Sequence, residues 1–362
     1  MTAGYRQRMS PTDQADLRAR VEKALAAFLS DQRALLAGID PALEPVADTI
    51  EAFVMGGGKR LRPAFAYWGY RGAGGEDSDE LVGAVAALEF VQASALIHDD
   101  VMDASDTRRG EPAVHRRFAT LHDASGWEGD PEAFGAGAAI LLGDLCLAWS
   151  DELLRRSGLD TAALLRARPV FDLMRTEVIA GQYLDVHAQA TADNSLRRAS
   201  TVARFKSAKY TVERPLLLGA AIADAPARLR QAYSRFGLPI GEAFQLRDDV
   251  LGVFGDPLRT GKPAGDDLRE GKRTYLIAVA YERADAATAA ELTAGLGDAA
   301  LDDAGVARLR RIIVDTGALA RTEQRIADLT ATALDALNAA DLSAESHEML
   351  TELAMAATRR SL

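Results

Sequence analysis

Apolar residues recur at three- and four-residue spacing along almost the whole chain, the period of helices that bury one face. Leu81, Val85, Leu88, Val91, Gln92, Ala95, Ile97 and Met102 belong to one long run of this kind. Asp13 or Thr12 can cap a first helix that reaches about Leu36 and stops near Gly38 and Pro41. The same spacing predicts helices over about 43–54, 62–71, 133–157, 161–188, 196–222 and 226–254, with several more between about 271 and 360. Runs of β-branched residues are scarce and no segment alternates as a strand does, so the pattern predicts an all-α fold. Breakers cluster at 72–77, 122–131 and 255–271; the second, rich in Gly, Asp and Ser, reads as a surface insertion. There is no Gly/Ser linker and no internal repeat. Residues 12–362 are therefore expected to form one helical domain, behind a mobile N-terminus over 1–11.

Composition narrows the function classes more than the fold. A formal net charge of −11 argues against a nucleic-acid surface. Basic residues nevertheless gather at Lys59, Arg60 and Arg62 and again at Arg108 and Arg109, which suits small anionic ligands. Cys146 is the one cysteine, so no internal disulfide can form and a reducing compartment is implied. No signal-peptide pattern opens the chain. The most apolar stretch, 134–149, is short for a bilayer and carries Asp144, so it reads as a buried or interface helix without a transmembrane segment. A cytoplasmic protein is expected.

Chemistry-bearing residues sit in three places. The first is Asp99-Asp100-Val101-Met102-Asp103, continuing to Arg108-Arg109-Gly110. Asp99 and Asp103 are four apart and share a helix face, where they repel each other unless a cation lies between them. Oxygen ligands without nearby cysteine point to Mg²⁺. The second is Gln245 with Asp248 and Asp249, followed by a Gly- and Lys-rich segment that contains Lys262 and Lys272. Lysines beside carboxylate-bound metal can meet phosphate oxygens as point charges, and the glycines let such a segment act as a lid. The third is GGGKRLRP at 56–63, which lacks the spacing of a Walker loop. Its amides, with Lys59 and Arg62, can cradle a diphosphate without metal.

Together with Lys206-Ser207, these motifs resemble, in order, those of the trans-isoprenyl diphosphate synthases, the polyprenyl synthetase family; they span roughly 50–275. The resemblance implies many helices around a deep central cavity, as in isoprenoid synthases, usually in a homodimer. It implies about three Mg²⁺ ions held by Asp99, Asp103 and Asp248. Around an allylic diphosphate it places Arg108, Lys206, Ser207, Gln245, Lys262 and Lys272, and around isopentenyl diphosphate Lys59, Arg62, Gln92 and Arg109. Asp100 and Asp249 complete the catalytic carboxylates. Two departures stand out: Gly252 replaces the third aspartate of the second motif, and Ser207 replaces a commoner threonine.

Product length in this family depends on the bulk of residues beneath the first motif. The fourth and fifth residues before Asp99 are Ala95 and Ser94, both small, with Val91 one turn further and Leu88 deeper. Aromatic side chains there would stop growth at the farnesyl length, so a geranylgeranyl product is expected, with longer ones allowed. A terpene cyclase would lack the second aspartate pair and the GKRLRP element. A silent partner subunit would not need Asp99, Asp103, Asp248 and Lys59 intact.

Overall fold

The computed structural model describes residues 12–256, 265–298 and 300–359. The chain opens with α1 (Thr12–Ile39), α2 (Glu44–Met55), α3 (Leu61–Gly72) and α4 (Asp79–Met102). It continues through α5 (Val114–Ala124), α6 (Pro131–Arg156) and α7 (Thr161–Ala190). Next, α8 (Leu196–Val202), a π-helical segment (Ala203–Glu213) and α9 (Arg214–Ile222) run without a break. After α10 (Ala227–Phe254) come α11 (Asp266–Arg269), α12 (Tyr275–Arg283), α13 (Ala286–Gly295), α14 (Asp303–Asp315), α15 (Ala318–Asn338) and α16 (Ala344–Thr358). The fold is all-α.

Helix α4 forms the spine. Ser78 caps it, its Oγ accepting from the Leu81 amide at 3.1 Å, and Asp79 and Glu80 suit the positive end of the helix dipole. Sixteen of its residues are buried, and α6 packs along it. An edge-to-face aromatic nucleus joins Phe28 of α1, Phe90 of α4 and Trp149 of α6, with centroids 5.3–6.3 Å apart. The main apolar cluster extends from α1 to α16, while a smaller one gathers α12, α14 and α15. Helix α10 contributes to both, through Phe236 and Ile240 to the first and Leu246 and Val253 to the second.

The periodicity placed most of these helices within a few residues. It missed α5, whose Val114, Phe118 and His122 are buried at a four-residue step just ahead of the insertion. The one helix expected over 196–222 contains the π-helical stretch, which uniform apolar spacing does not announce. Among the described residues the only strands are Thr107–Arg108 and Glu111–Pro112, a minimal hairpin whose turn residues Arg109 and Gly110 have φ of 57° and 81°. Two positive φ angles match the primed turn that right-twisted strands prefer.

Helices α4 and α6 each hold a window long and apolar enough to cross a membrane by composition alone. The helix expected over 133–157 is α6, 26 residues long, and the apolar stretch 134–149 lies inside it.

Candidate active site

Both aspartate clusters lie where a helix dipole disfavours them. Asp99 and Asp100 occupy the last turn of α4, and Asp103 is its C-cap. Ala104, at φ 52°, turns the chain out of the helix. Asp248 and Asp249 lie in the last two turns of α10. Carboxylates at the negative end of a helix cost stability unless cations offset them. Asp99, Asp248 and Asp249 line one cavity of about 910 Å³, together with residues 58–62, Gln92, Leu96, Arg108, Arg109, Asp185, Lys206, Ser207, Tyr210, Gln245, Gly252, Asp267, Lys272 and Arg359; Asp103 is not among its lining residues.

The first wall is built around Asp99. Its Oδ1 accepts from Lys206 Nζ at 3.0 Å and from Gln182 Nε2 at 2.9 Å, and Arg108 lies 3.6 Å from Oδ2. Burial pushes the carboxyl up, but Lys206, Lys272 and Arg108 outweigh it and hold Asp99 below the usual range. Lys206 also donates to Asp185 Oδ2 at 2.6 Å. Burial alone would lower that ammonium; Asp99 and Asp185 hold it above the ordinary lysine range. Asp103 differs. Burial raises its carboxyl, with Asp99 and Glu270 adding to the effect, although Lys272 Nζ sits 3.2 Å from Oδ2. That buried Oδ2 accepts no hydrogen bond.

Asp100 is fully buried and does not line the cavity. It accepts from Arg108 Nε at 2.9 and 3.2 Å and from Nη2, so its work is to aim Arg108. The hairpin turn sends the next arginine elsewhere. Arg109 Nη1 donates to the Gly57 carbonyl at 3.0 Å.

The second wall is α10. Gln245 Nε2 donates to Asp249 Oδ1 at 2.7 Å. Burial nevertheless pushes Asp249 up to about 8, with Asp267, Asp248 and Asp185 adding repulsion. Lys272 joins the two walls, reaching Asp103, Glu270 at 2.7 Å and Asp267 at 3.6 Å, while Ser105 Oγ donates to Glu270 Oε1 at 2.6 Å.

A basic corner opens beside these walls. Arg60 takes φ 50° and is held by Glu89 at 2.5 Å and the Val54 carbonyl at 2.8 Å, so the first turn of α3 starts with no side-chain cap. Arg62 Nη2 donates to Tyr210 OH at 2.5 Å and Thr211 Oγ1 at 2.9 Å, with its guanidinium 4.1 Å over the Tyr210 ring. Arg109 is held below the ordinary arginine value, chiefly by burial, with Arg60, Arg108 and Arg62 adding to it against Glu89. Converging guanidinium groups at an uncapped helix start suit an anion.

The π-helical segment carries Lys206 to the carboxylates and Tyr210 to Arg62. Glycines on both sides admit it. A Cβ at Gly181 of α7 would overlap the backbone of Phe205 and Lys206, and one at Gly241 of α10 that of Ala208.

Carboxylate oxygens, one of them buried without a hydrogen bond, and one carboxyl pushed up to about 8 form a donor set that fits a hard divalent cation. Among the described residues, no three His, Cys, Asp or Glu side chains converge so as to hold a metal ion by themselves. Mg²⁺ suits such open sites, because it takes one or two carboxylates and completes its shell with phosphate oxygens and water.

Of the residues expected from sequence, the cavity gathers Lys59, Arg62, Gln92, Asp99, Arg108, Arg109, Lys206, Ser207, Gln245, Asp248, Asp249 and Lys272. Lys262 falls outside the described residues. Val91, Ser94 and Ala95 lie on α4 below Asp99 but are not among the cavity-lining side chains; Gln92 and Leu96 are. Sequence reading missed Gln182, Asp185, Tyr210, Ser105, Asp267 and Glu270. A polar pair three apart on the buried face of α7, Gln182 and Asp185, was the available signal.

The structure defines an all-α protein in which one cavity sets two carboxylate clusters against a basic corner. The chain belongs to the polyprenyl synthetase family, whose model matches residues 44–313. It is similar to a geranylgeranyl pyrophosphate synthase from Corynebacterium glutamicum solved with isoprenyl diphosphate and magnesium, at 44% identity and a TM-score of 0.92, covering 95% of this chain and 99% of that one. A Mycobacterium tuberculosis geranylgeranyl diphosphate synthase is 36% identical over 64% of this chain and 61% of its own length. An Aeropyrum pernix geranylfarnesyl diphosphate synthase is 32% identical over 64% of this chain and 69% of its own. The protein is thus an enzyme of the trans-prenyl diphosphate synthase class, a transferase of prenyl groups.

Proposed function

We propose that the protein joins isopentenyl diphosphate head-to-tail to an allylic diphosphate and makes geranylgeranyl diphosphate. The observation that carries this is one cavity holding two carboxylate walls beside a separate basic corner, which gives two diphosphates two chemically different seats. Asp99, Asp103 and Asp248 would hold about three Mg²⁺ ions, which when bound supply the positive charge that makes diphosphate a good leaving group. Lys206, Lys272 and Arg108 meet the remaining oxygens of the allylic diphosphate, with Ser207, Gln245 and Lys262 around it. Lys59, Arg62, Gln92 and Arg109 seat isopentenyl diphosphate. The buried walls exclude the water that would quench an allylic cation, and the double bond of isopentenyl diphosphate attacks that carbon. No side chain stands out as the base; the proton goes to the departed diphosphate.

Residues 12–362 act as one domain in this reading, since α10 serves both apolar clusters. Ile140 and Leu141 of α6 and Ile179 and Tyr183 of α7 stay exposed, which favours a homodimer. Location in the cytoplasm and a transient membrane contact for release of the lipid product belong to the same proposal.

Relatives make products of several lengths, so the product is the test. Purified protein with Mg²⁺, isopentenyl diphosphate and each allylic primer should release geranylgeranyl alcohol after dephosphorylation, and Ala95→Phe should shorten it. An unchanged product from that variant refutes the floor at Ala95, and no turnover with any primer refutes the synthase reading.

A further inference from the structure

The second cluster lacks a side chain where its third carboxylate is expected, at Gly252. Yet that volume is filled. A Cβ built on Gly252 would overlap Oδ2 and Cγ of Asp267 and lie 3.0 Å from its Oδ1. We propose that Asp267 supplies, from α11, the carboxylate that α10 does not carry, and that Gly252 is glycine to make room for it. The inference rests on the synthase reading and adds to it a residue that positions the metal-bound diphosphate.

The local backbone explains the placement. Gly265 precedes α11 with φ 76°, against Val306, where a Cβ would be crowded at 2.5 Å. Leu268, 1% exposed, anchors the short helix in the smaller apolar cluster. On the far side the Lys272 amide donates to the Asp267 carbonyl at 3.0 Å, and Gly271 turns at φ 75°. Asp267 is therefore held from both ends against α10. Its Oδ1 lies 3.6 Å from Lys272 Nζ, the ammonium that also reaches Asp103 of the first cluster. It lines the cavity together with Asp248 and Asp249.

A purely structural role, as an ion-pair partner for Lys272, would cost stability without changing the demand for Mg²⁺. The two roles separate in a binding experiment. Inorganic diphosphate is titrated calorimetrically into wild type, Asp267→Asn, Gly252→Ala, Asp267→Ala and the transposed double variant Gly252→Asp/Asp267→Ala, at several Mg²⁺ concentrations, with Tm recorded for each. Asp267→Asn is expected to weaken Mg²⁺-dependent diphosphate binding by roughly 10–100-fold, the usual effect of losing a carboxylate that supports a metal site. Gly252→Ala should weaken it in the same direction, by displacing the Asp267 carboxylate. The transposed variant should bind better than Asp267→Ala. Wild-type Mg²⁺ dependence in Asp267→Asn, whatever its Tm, overturns the proposal, and so does a transposed variant no better than Asp267→Ala. If wild type itself shows no Mg²⁺-dependent binding, the synthase reading fails along with it; if only the variants match wild type, the reading stands and the assignment of Asp267 falls.

Discussion

Gly181 offers the sharpest test of how the π-helical segment places Lys206. In Gly181→Ala the new methyl would lie 2.5 Å from the Phe205 carbonyl carbon and 2.7 Å from Lys206 Cα, and closer still to the Lys206 nitrogen. All three are backbone atoms, so no flexible side chain can yield. Ordinary contact begins near 3.4 Å, so the segment must retreat by about 1 Å. Lys206 Nζ stands 3.0 Å from Asp99 and 2.6 Å from Asp185, and that retreat takes it beyond hydrogen-bonding reach of the first. Overpacking costs about 1–3 kcal/mol, offset by the roughly 0.5–1 kcal/mol that alanine gains over glycine in a helix. A displacement of that size at a charge-stabilising group lowers turnover by about 100-fold, or about 2.7 kcal/mol of barrier. The assay is steady-state diphosphate release with KM for each substrate, beside a thermal melt. Gly38→Ala, where a Cβ meets nothing within 4 Å, is the control and should match wild type. A Gly181→Ala enzyme with wild-type turnover would refute the claim that this packing sets Lys206.

Two further outcomes follow from the charge network. Arg62→Lys loses the stacking on Tyr210 and displaces the donor that Nη2 presents to Tyr210 and Thr211, and should raise KM for isopentenyl diphosphate roughly 10-fold while sparing KM for the allylic primer; equal effects on both would contradict the assignment of the basic corner. Glu177 is raised by burial but more strongly lowered by its bonds from Arg214 and Lys209, which hold it below its ordinary value of 4.5. The folded pKa is depressed, so the pair stabilises the protein above that value and the benefit is lost as pH falls through the folded pKa. Denaturant titrations should find Glu177→Gln about 1–3 kcal/mol less stable near neutrality, with the gap closing below about pH 4.5; a gap that persists at low pH would contradict the assignment.

The helices were legible because apolar spacing is a local signal, and long runs such as α4 and α10 carry it over many turns. The π-helical segment was not, because it is imposed by close approach of α7 and α10 at Gly181 and Gly241, residues distant in sequence. The aspartate and arginine motifs were legible as strings, but the division of labour within them was not. Asp99 faces the cavity while its neighbour Asp100, about 100° further round the same helix, turns inward to hold Arg108. Asp185 sits far from either motif in the chain and meets Lys206 only through the fold. The floor of the cavity was inferred from small residues at 94 and 95, and those side chains do not form the cavity wall that Gln92 and Leu96 provide.

The central claim is that the two carboxylate walls act on one diphosphate as a unit. Diphosphate release should be measured as a function of Mg²⁺ for wild type, Asp99→Asn, Asp248→Asn and the double variant. If both walls serve the same ions, each single change should remove nearly all turnover and the double should be little worse than either, as for residues that work together. Turnover that survives a chelator, or losses that simply multiply in the double variant, would contradict the account.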